Sequence, residues 1–214
     1  IPNPQSYELL SVSLSNPQAA ELTGLAQIYT LGTNATPAAT ILIPFGTTWR
    51  YLDSGLSQGT AWIPAAFDDE GWSNGVATFG FNSGNTGFAT VVGYGPDSEN
   101  KYRTYYFRTQ FTVESVAAFT NLFLESLRDD GIAVYLNGQD FYRNNLPAGP
   151  LAYSDFATNA TDNGGIIQSA TLSLAALVMG TNVLAAEVHQ TTAGSSDLVF
   201  DLQLSANPPP SSLL

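Results

Sequence analysis

Residues 127–145 read LRDDGIAVYLNGQDFYRNN, and this stretch decides the fold. Ile132, Val134 and Leu136 alternate with Ala133, Tyr135 and Asn137, the period of two of a half-buried strand. Asn137-Gly138 is a strong tight-turn signal, because both residues tolerate positive φ. Phe141 and Tyr142 open a return strand. A second turn signal, Asp130-Gly131, lies just upstream, and residues 121–127 are expected to pair into the same hairpin.

Outward from that centre the pattern is repeated. Residues 105–113, YYFRTQFTV, alternate well enough for a central strand. Further strands are expected at 41–45, 49–52, 166–174, 182–190 and 198–204. Residues 60–72, TAWIPAAFDDEGW, are broken by Pro64, Asp68, Asp69 and Gly71. Residues 76–95 and 146–165 are rich in Gly, Asn, Asp and Thr and read as loops or loose ribbon. One helical turn fits 114–119, and a short helix fits 173–179, with Ser173 as cap and Gly180 as stop. Many short strands with almost no helix indicate an all-β antiparallel β-sandwich or jelly roll.

Residues 1–40 stand apart as an N-terminal extension. Leu10, Val12 and Leu14 alternate with Ser11, Ser13 and Ser15, and Pro2, Pro4 and Pro17 bound the segment. The candidate strand spans 7–14. It is either an edge strand of its own domain or a strand donated to a neighbouring subunit, in which case Tyr7, Leu10, Val12 and Leu14 are the assembly residues. The chain thus divides into the extension, a jelly roll over 41–206 and a Pro-rich tail over 207–214.

Composition narrows the function. Apolar residues make up 44% of the 214 residues, enough for a core, while charged residues are only 11%, against roughly 25% in soluble domains. A net charge of −12 excludes the basic patch that nucleic acid or an anionic lipid surface requires. No cysteine is present, so thiolate metal sites and disulfides are excluded, and no apolar run reaches the ~18 residues of a membrane span. The chain opens Ile1-Pro2-Asn3-Pro4, without an initiator Met or a signal peptide. It is read as a processed chain, extracellular or on the cell surface.

Four strings recur in order: Phe67-Asp68-Asp69-x-x-Trp72, Tyr106-Phe107-Arg108-x-x-Phe111, Ala133-Val134-Tyr135-Leu136-Asn137-Gly138 and Gly180-Thr181-Asn182-Val183-Leu184-Ala185. Together they resemble the galactose-binding-like jelly-roll domains, including the sugar-binding domain of family 2 glycoside hydrolases. The longer strings at 43–55, 127–138 and 188–204 are similar to a variant found in large secreted bacterial proteins. The resemblance spans about residues 41–205 and implies a fold more than a function. It also implies that a structural Ca²⁺ is an expected cofactor.

The candidate chemistry is sparse. Glu187 and His189 share one face of a strand, with Asp197 and Asp201 soon after, but His189 is the sole histidine and no GxSxG motif is present. Asp129-Asp130 and Asp68-Asp69-Glu70 are adjacent acids whose side chains diverge, so neither is an acid/base couple, and no catalytic residue is assigned. Calcium takes about six to eight oxygens, and Asp129, Asp130, Asp97 and Glu99 are its candidate ligands. A sugar needs an aromatic face beside planar hydrogen-bonding groups. Trp62, Tyr94, Tyr102, Tyr142, Arg143 and Asn144 are available near loops, whereas Trp49 and Trp72 belong to fold-marking strings.

Two readings of function follow, neither of them enzymatic. The first and favoured one is an extracellular structural subunit that self-assembles into a filament or surface layer, as a homo-oligomer or polymer, through its N-terminal strand. The alternative is a secreted carbohydrate-binding module of a larger surface protein or enzyme, with a glycan ligand.

Overall fold

The computed structural model describes residues 37–84, 86–159 and 163–210. The chain divides into two units, Ile1–Asn34 and Ala35–Leu214, and all described residues belong to the second. The candidate assembly residues Tyr7, Leu10, Val12 and Leu14 lie outside the described residues.

Among the described residues, twelve strands form two six-stranded sheets. The first sheet has β10 (Gln168–Leu172), β7 (Asn121–Asp129), β12 (Leu198–Asn207), β4 (Phe79–Phe81) and β5 (Thr90–Val91) in that order, with β1 (Thr40–Ile43) also paired to β12. The second runs β3 (Ser73–Val76), β2 (Thr48–Leu52), β6 (Thr104–Val113), β11 (Gly180–His189), β8 (Gly131–Leu136) and β9 (Gln139–Asn144). All pairs are antiparallel except β4 with β5. The sheets pack as a sandwich, which is the expected all-β architecture. β6 is central, and the expected helical turn is a single 3₁₀ turn at Val116–Ala118.

The hairpin of β8 and β9 turns at Asn137-Gly138, where both residues have positive φ, 51° and 88°. The side chain of Asn137 is itself built in. Its amide donates to the Ala176 carbonyl at 2.8 Å and to Asn182 Oδ1 at 2.7 Å, while its Oδ1 accepts from the Val183 N–H at 2.9 Å.

Two expectations are corrected. Residues 121–127 do not pair into the hairpin. β7 lies in the first sheet between β10 and β12, and β8 lies in the second beside β11. Asp129 and Asp130 form the corner where the chain changes sheets, and a corner leaves the same alternation in sequence as a turn. The helix expected at 173–179 is a non-helical turn. Asn182 bonds Val178 in both directions, accepting its N–H at 2.9 Å and donating to its carbonyl at 2.8 Å, and this replaces the helical pattern.

The inner faces supply the main core. Trp49, Phe79, Phe107 and Phe200 meet at its centre, with Phe107 and Phe200 stacked at 4.0 Å between centroids. Leu184, Ala186 and Val188 face this core, as do Ile132, Val134 and Leu136. The other face of the second sheet is also covered. Ala133, Tyr135, Tyr106 and Ala185 lie beneath Trp62 and Trp72, with Ile63, Phe67, Leu146, Leu151 and Tyr153 packed around them. β8 is therefore buried along its whole length, not on one face alone.

Two stability outcomes are expected. Phe200→Ala removes the stacked ring and should cost about 3–5 kcal/mol in urea unfolding. Asp201 is buried, and desolvation raises its carboxyl pKa above the usual value despite hydrogen bonds from Gly46, Leu202 and Thr78. The folded state therefore binds this proton at higher pH than the unfolded state. Its contribution to stability grows as pH falls through the folded pKa, the reverse of a salt-bridged aspartate. Measured between pH 7 and pH 4, wild type should gain stability relative to Asp201→Asn as the pH is lowered.

Candidate functional site

The stretch covering the outer face of the second sheet is held by two cations, Arg50, whose Nη1 donates to the Trp72 carbonyl at 3.3 Å, and the more deeply buried Arg108. Arg108 on β6 is 1% exposed. Its Nε donates to Asp69 Oδ2 at 2.8 Å, its Nη1 to the carbonyls of Trp62 and Ile63, and its Nη2 to that of Pro64 at 3.3 Å. The guanidinium also lies over the Phe67 ring, 5.3 Å from its centroid. The irregular stretch 60–72 is thereby pinned to the sheet. Burial pushes the Tyr106 phenol beneath it up to about 12.

Beside the pinned loop lies a buried polar chain. The Tyr135 hydroxyl donates to Glu187 Oε1 at 2.6 Å. His189 Nε2 is 3.2 Å from Glu187 Oε2. His189 Nδ1 is 2.8 Å from the Asp155 carbonyl, which only accepts, so Nδ1 carries a hydrogen. The Thr104 hydroxyl donates to the Tyr153 carbonyl and so cannot also donate to His189. The Glu187 carboxylate is thus approached by the Tyr135 hydroxyl on one oxygen and by the His189 ring on the other. A cavity of 210 Å³ reaches Glu187 and Tyr135, with Ile63, Leu151, Asp140 and Arg143 among its walls.

A second concavity, of 400 Å³, is lined by Phe81, Asn82, Tyr94, Ser98, Glu99 and Lys101, with Gly194 and Ser196 from the β11–β12 loop. Tyr94 is half-buried, packs against Phe81 at 5.2 Å and has the Lys101 ammonium 5.6 Å from its ring centroid. A third cleft, of 460 Å³, is lined by Arg50, Asp68, Asp69, Glu70 and Asn74.

The six residues expected to bind glycan are dispersed. Tyr94 lines the 400 Å³ cleft and Arg143 the 210 Å³ cavity. Trp62 must be corrected: it is fully buried, its ring packed by Trp72, Tyr106 and Tyr135, so it offers no face to a ligand. Tyr102 is half-buried and sits so close to Gly55 and Gly95 that neither could carry a Cβ without moving its ring. Tyr142 is half-buried against the main core, and Asn144 Oδ1 accepts from Arg128 Nε at 2.8 Å.

The calcium candidates lie at a sheet corner and in a surface loop. Asp129 and Asp130 are buried at the corner between sheets, and Asp130 Oδ2 accepts from Thr191 N–H and Thr191 hydroxyl, both at 2.8 Å. Asp97 Oδ1 accepts from the Glu99 N–H at 2.9 Å in an ordinary Asx turn, and Glu99 turns to the Tyr94 cleft. Among the described residues no three acidic or histidine side chains converge as a metal site. None of their helices is long and apolar enough to cross a membrane.

The architecture has counterparts among solved structures. β-Glucuronidase 2 of Bacteroides uniformis aligns over 80% of this chain at 18% identity, with a TM-score of 0.51. A β-glycosidase of Bacteroides vulgatus aligns over 80% at 15% identity, also at 0.51. The shared feature is the two-sheet antiparallel β-sandwich. This chain spans only about a fifth of those proteins, 18% of the first and 20% of the second. No family model and no curated protein matches the sequence.

Neither the Glu187 cavity nor the Tyr94 cleft was assembled by sequence reasoning. The Glu187–His189 spacing placed both on one face, but the covering loop that turns that face into a cavity comes from residues 59–72 and 146–155, whose irregular sequence gives no register.

The expected consequence of removing the more deeply buried cation is large. Arg108→Met should cost about 3–5 kcal/mol, because it strands the Asp69 carboxylate and three loop carbonyls. Urea unfolding followed by tryptophan fluorescence measures it, with Trp62 and Trp72 reporting release of the loop.

Proposed function

We propose that this jelly roll is a non-catalytic carbohydrate-binding module of a larger secreted or surface protein, and that it takes its ligand in the Tyr94 cleft. The observation that carries the reading is the chemistry of that cleft. A half-buried phenol ring stands beside Ser98, Ser196, Glu99 and Lys101, while the Asn82 side chain in the wall bonds Gly84 and Thr86. A sugar ring presents C–H bonds on its faces and hydroxyls around its edge, so it is matched by an aromatic wall with polar groups at the rim. The fold shared with domains of a β-glucuronidase and a β-glycosidase is in keeping with this reading and does not by itself establish it.

The buried Glu187–His189 pair does not make the module an enzyme. His189 is fully buried, and both its ring nitrogens face groups of the protein. The assembly reading rests on residues 7–14, outside the described residues, and no observation on the described ones favours it.

Screening the chain against a glycan array, followed by calorimetry on the hits, tests the proposal. Tyr94→Ala should weaken binding about tenfold or more, the worth of an aromatic contact plus lost burial. Trp62→Phe should leave affinity unchanged while lowering stability. Absence of any saturable glycan binding, or indifference to Tyr94→Ala, would sink it.

A further inference from the structure

The cavity over Glu187 shares no lining residue with the Tyr94 cleft. Its floor is Glu187, only 4% exposed, with the Tyr135 hydroxyl. Ile63, Pro150 and Leu151 form an apolar wall. Its rim is built by Arg143, whose Nη1 donates to the carbonyls of Pro147 and Gly149, both at 2.7 Å, and whose Nη2 donates to Asp140 Oδ2 at 2.9 Å. The rim loop 147–151 is thus shaped by hydrogen bonds and not by packing alone. A buried carboxylate held from two sides, and still bordering a cavity, has lone pairs left over for a ligand.

The lining groups decide which ligand. Asp140 and Arg143 are an ion pair whose charges offset each other. The cavity is rich in acceptors: the remaining lone pairs of Glu187 and Asp140, and the Thr60 hydroxyl, which also donates. It calls for a neutral ligand that donates hydrogen bonds from one edge and lays an apolar face on Ile63 and Leu151. An anionic ligand would meet two carboxylates, and three hydrogens of Arg143 are already committed. The chain's net charge of −12 adds to the exclusion.

We infer that this cavity, under the glycan-binding reading, is a second sugar site that accepts one neutral hexose ring and excludes a hexuronic acid. It differs in this from a site selecting glucuronides. With two sites on one module, a branched or repeating glycan bound at both gains by effective concentration.

The test uses the full chain and its Tyr94→Ala variant, titrated with methyl β-galactopyranoside, methyl β-glucopyranoside and glucuronate, and followed by calorimetry and by NMR shifts of the isoleucine and leucine methyls. The expected result is saturable binding of a neutral glycoside that survives Tyr94→Ala, with shifts at Ile63 and Leu151, and none with glucuronate. Glu187→Gln should weaken that binding about tenfold, the loss of a charge-assisted hydrogen bond. Ile63→Trp should abolish it by filling the cavity while leaving the Glu187 hydrogen bonds in place, and it carries the test if Glu187→Gln does not fold. Three results overturn the second site: loss of all sugar binding on Tyr94→Ala, residual binding indifferent to Ile63→Trp, or glucuronate binding as tightly as the neutral glycosides. The first of these leaves the Tyr94 reading intact. A wild-type chain that binds no sugar overturns that reading and this site together.

Discussion

Arg108 is the constraint on which the outer half of this structure depends. A cation taken fully out of water is tolerable only where partners replace its hydration. Here those partners are one carboxylate and three consecutive carbonyls, so the loop that supplies them has to come down onto the sheet. Trp62 and Trp72 arrive with the loop and bury Tyr106 and Tyr135. A jelly-roll sheet that would otherwise face water on one side thereby acquires a second small core.

That second core makes the cavity. A loop with Pro64, Asp68 and Gly71 cannot follow a sheet surface as closely as another strand would. Where the cover from 59–63 meets the cover from 149–151, a gap remains over Glu187. The same low-dielectric cover that buries the Glu187–His189 contact also strengthens each hydrogen bond formed there. The residues that bury this face of the sheet also line the gap. Tyr135 packs on Trp62 and also orients Glu187.

How much of this was legible in the sequence depends on the range of the interaction. The hairpin at Asn137-Gly138 was readable because its cause is local: two adjacent residues with positive φ and alternation on either side. The central position of β6 followed from its long alternating run. The corner at Asp129-Asp130 was not readable as such, because a strand leaving for the opposite sheet keeps the alternation of one turning back on itself. The turn at 173–179 was misread as a helix because what prevents the helix is the side chain of Asn182, which bonds Val178 from the following strand. Trp62 was misread as a ligand face because its burial depends on Arg108, 46 positions away. The expected glycan residues scattered for the same reason. Residue type identifies what can touch a sugar, but only the tertiary cover decides which of them keep an open face.

The low charge content then has a specific reading. Only 11% of residues are charged, yet Arg108, Arg143, Asp69, Asp130, Asp140, Glu187 and Asp201 are all engaged in internal hydrogen bonds. Charge here is largely spent on architecture. The two concavities are lined by hydroxyls and carboxylates with the Lys101 and Arg143 cations among them, beside aromatic or aliphatic walls. Under the glycan-binding proposal, such a surface would discriminate by the direction of its donors and acceptors more than by net charge.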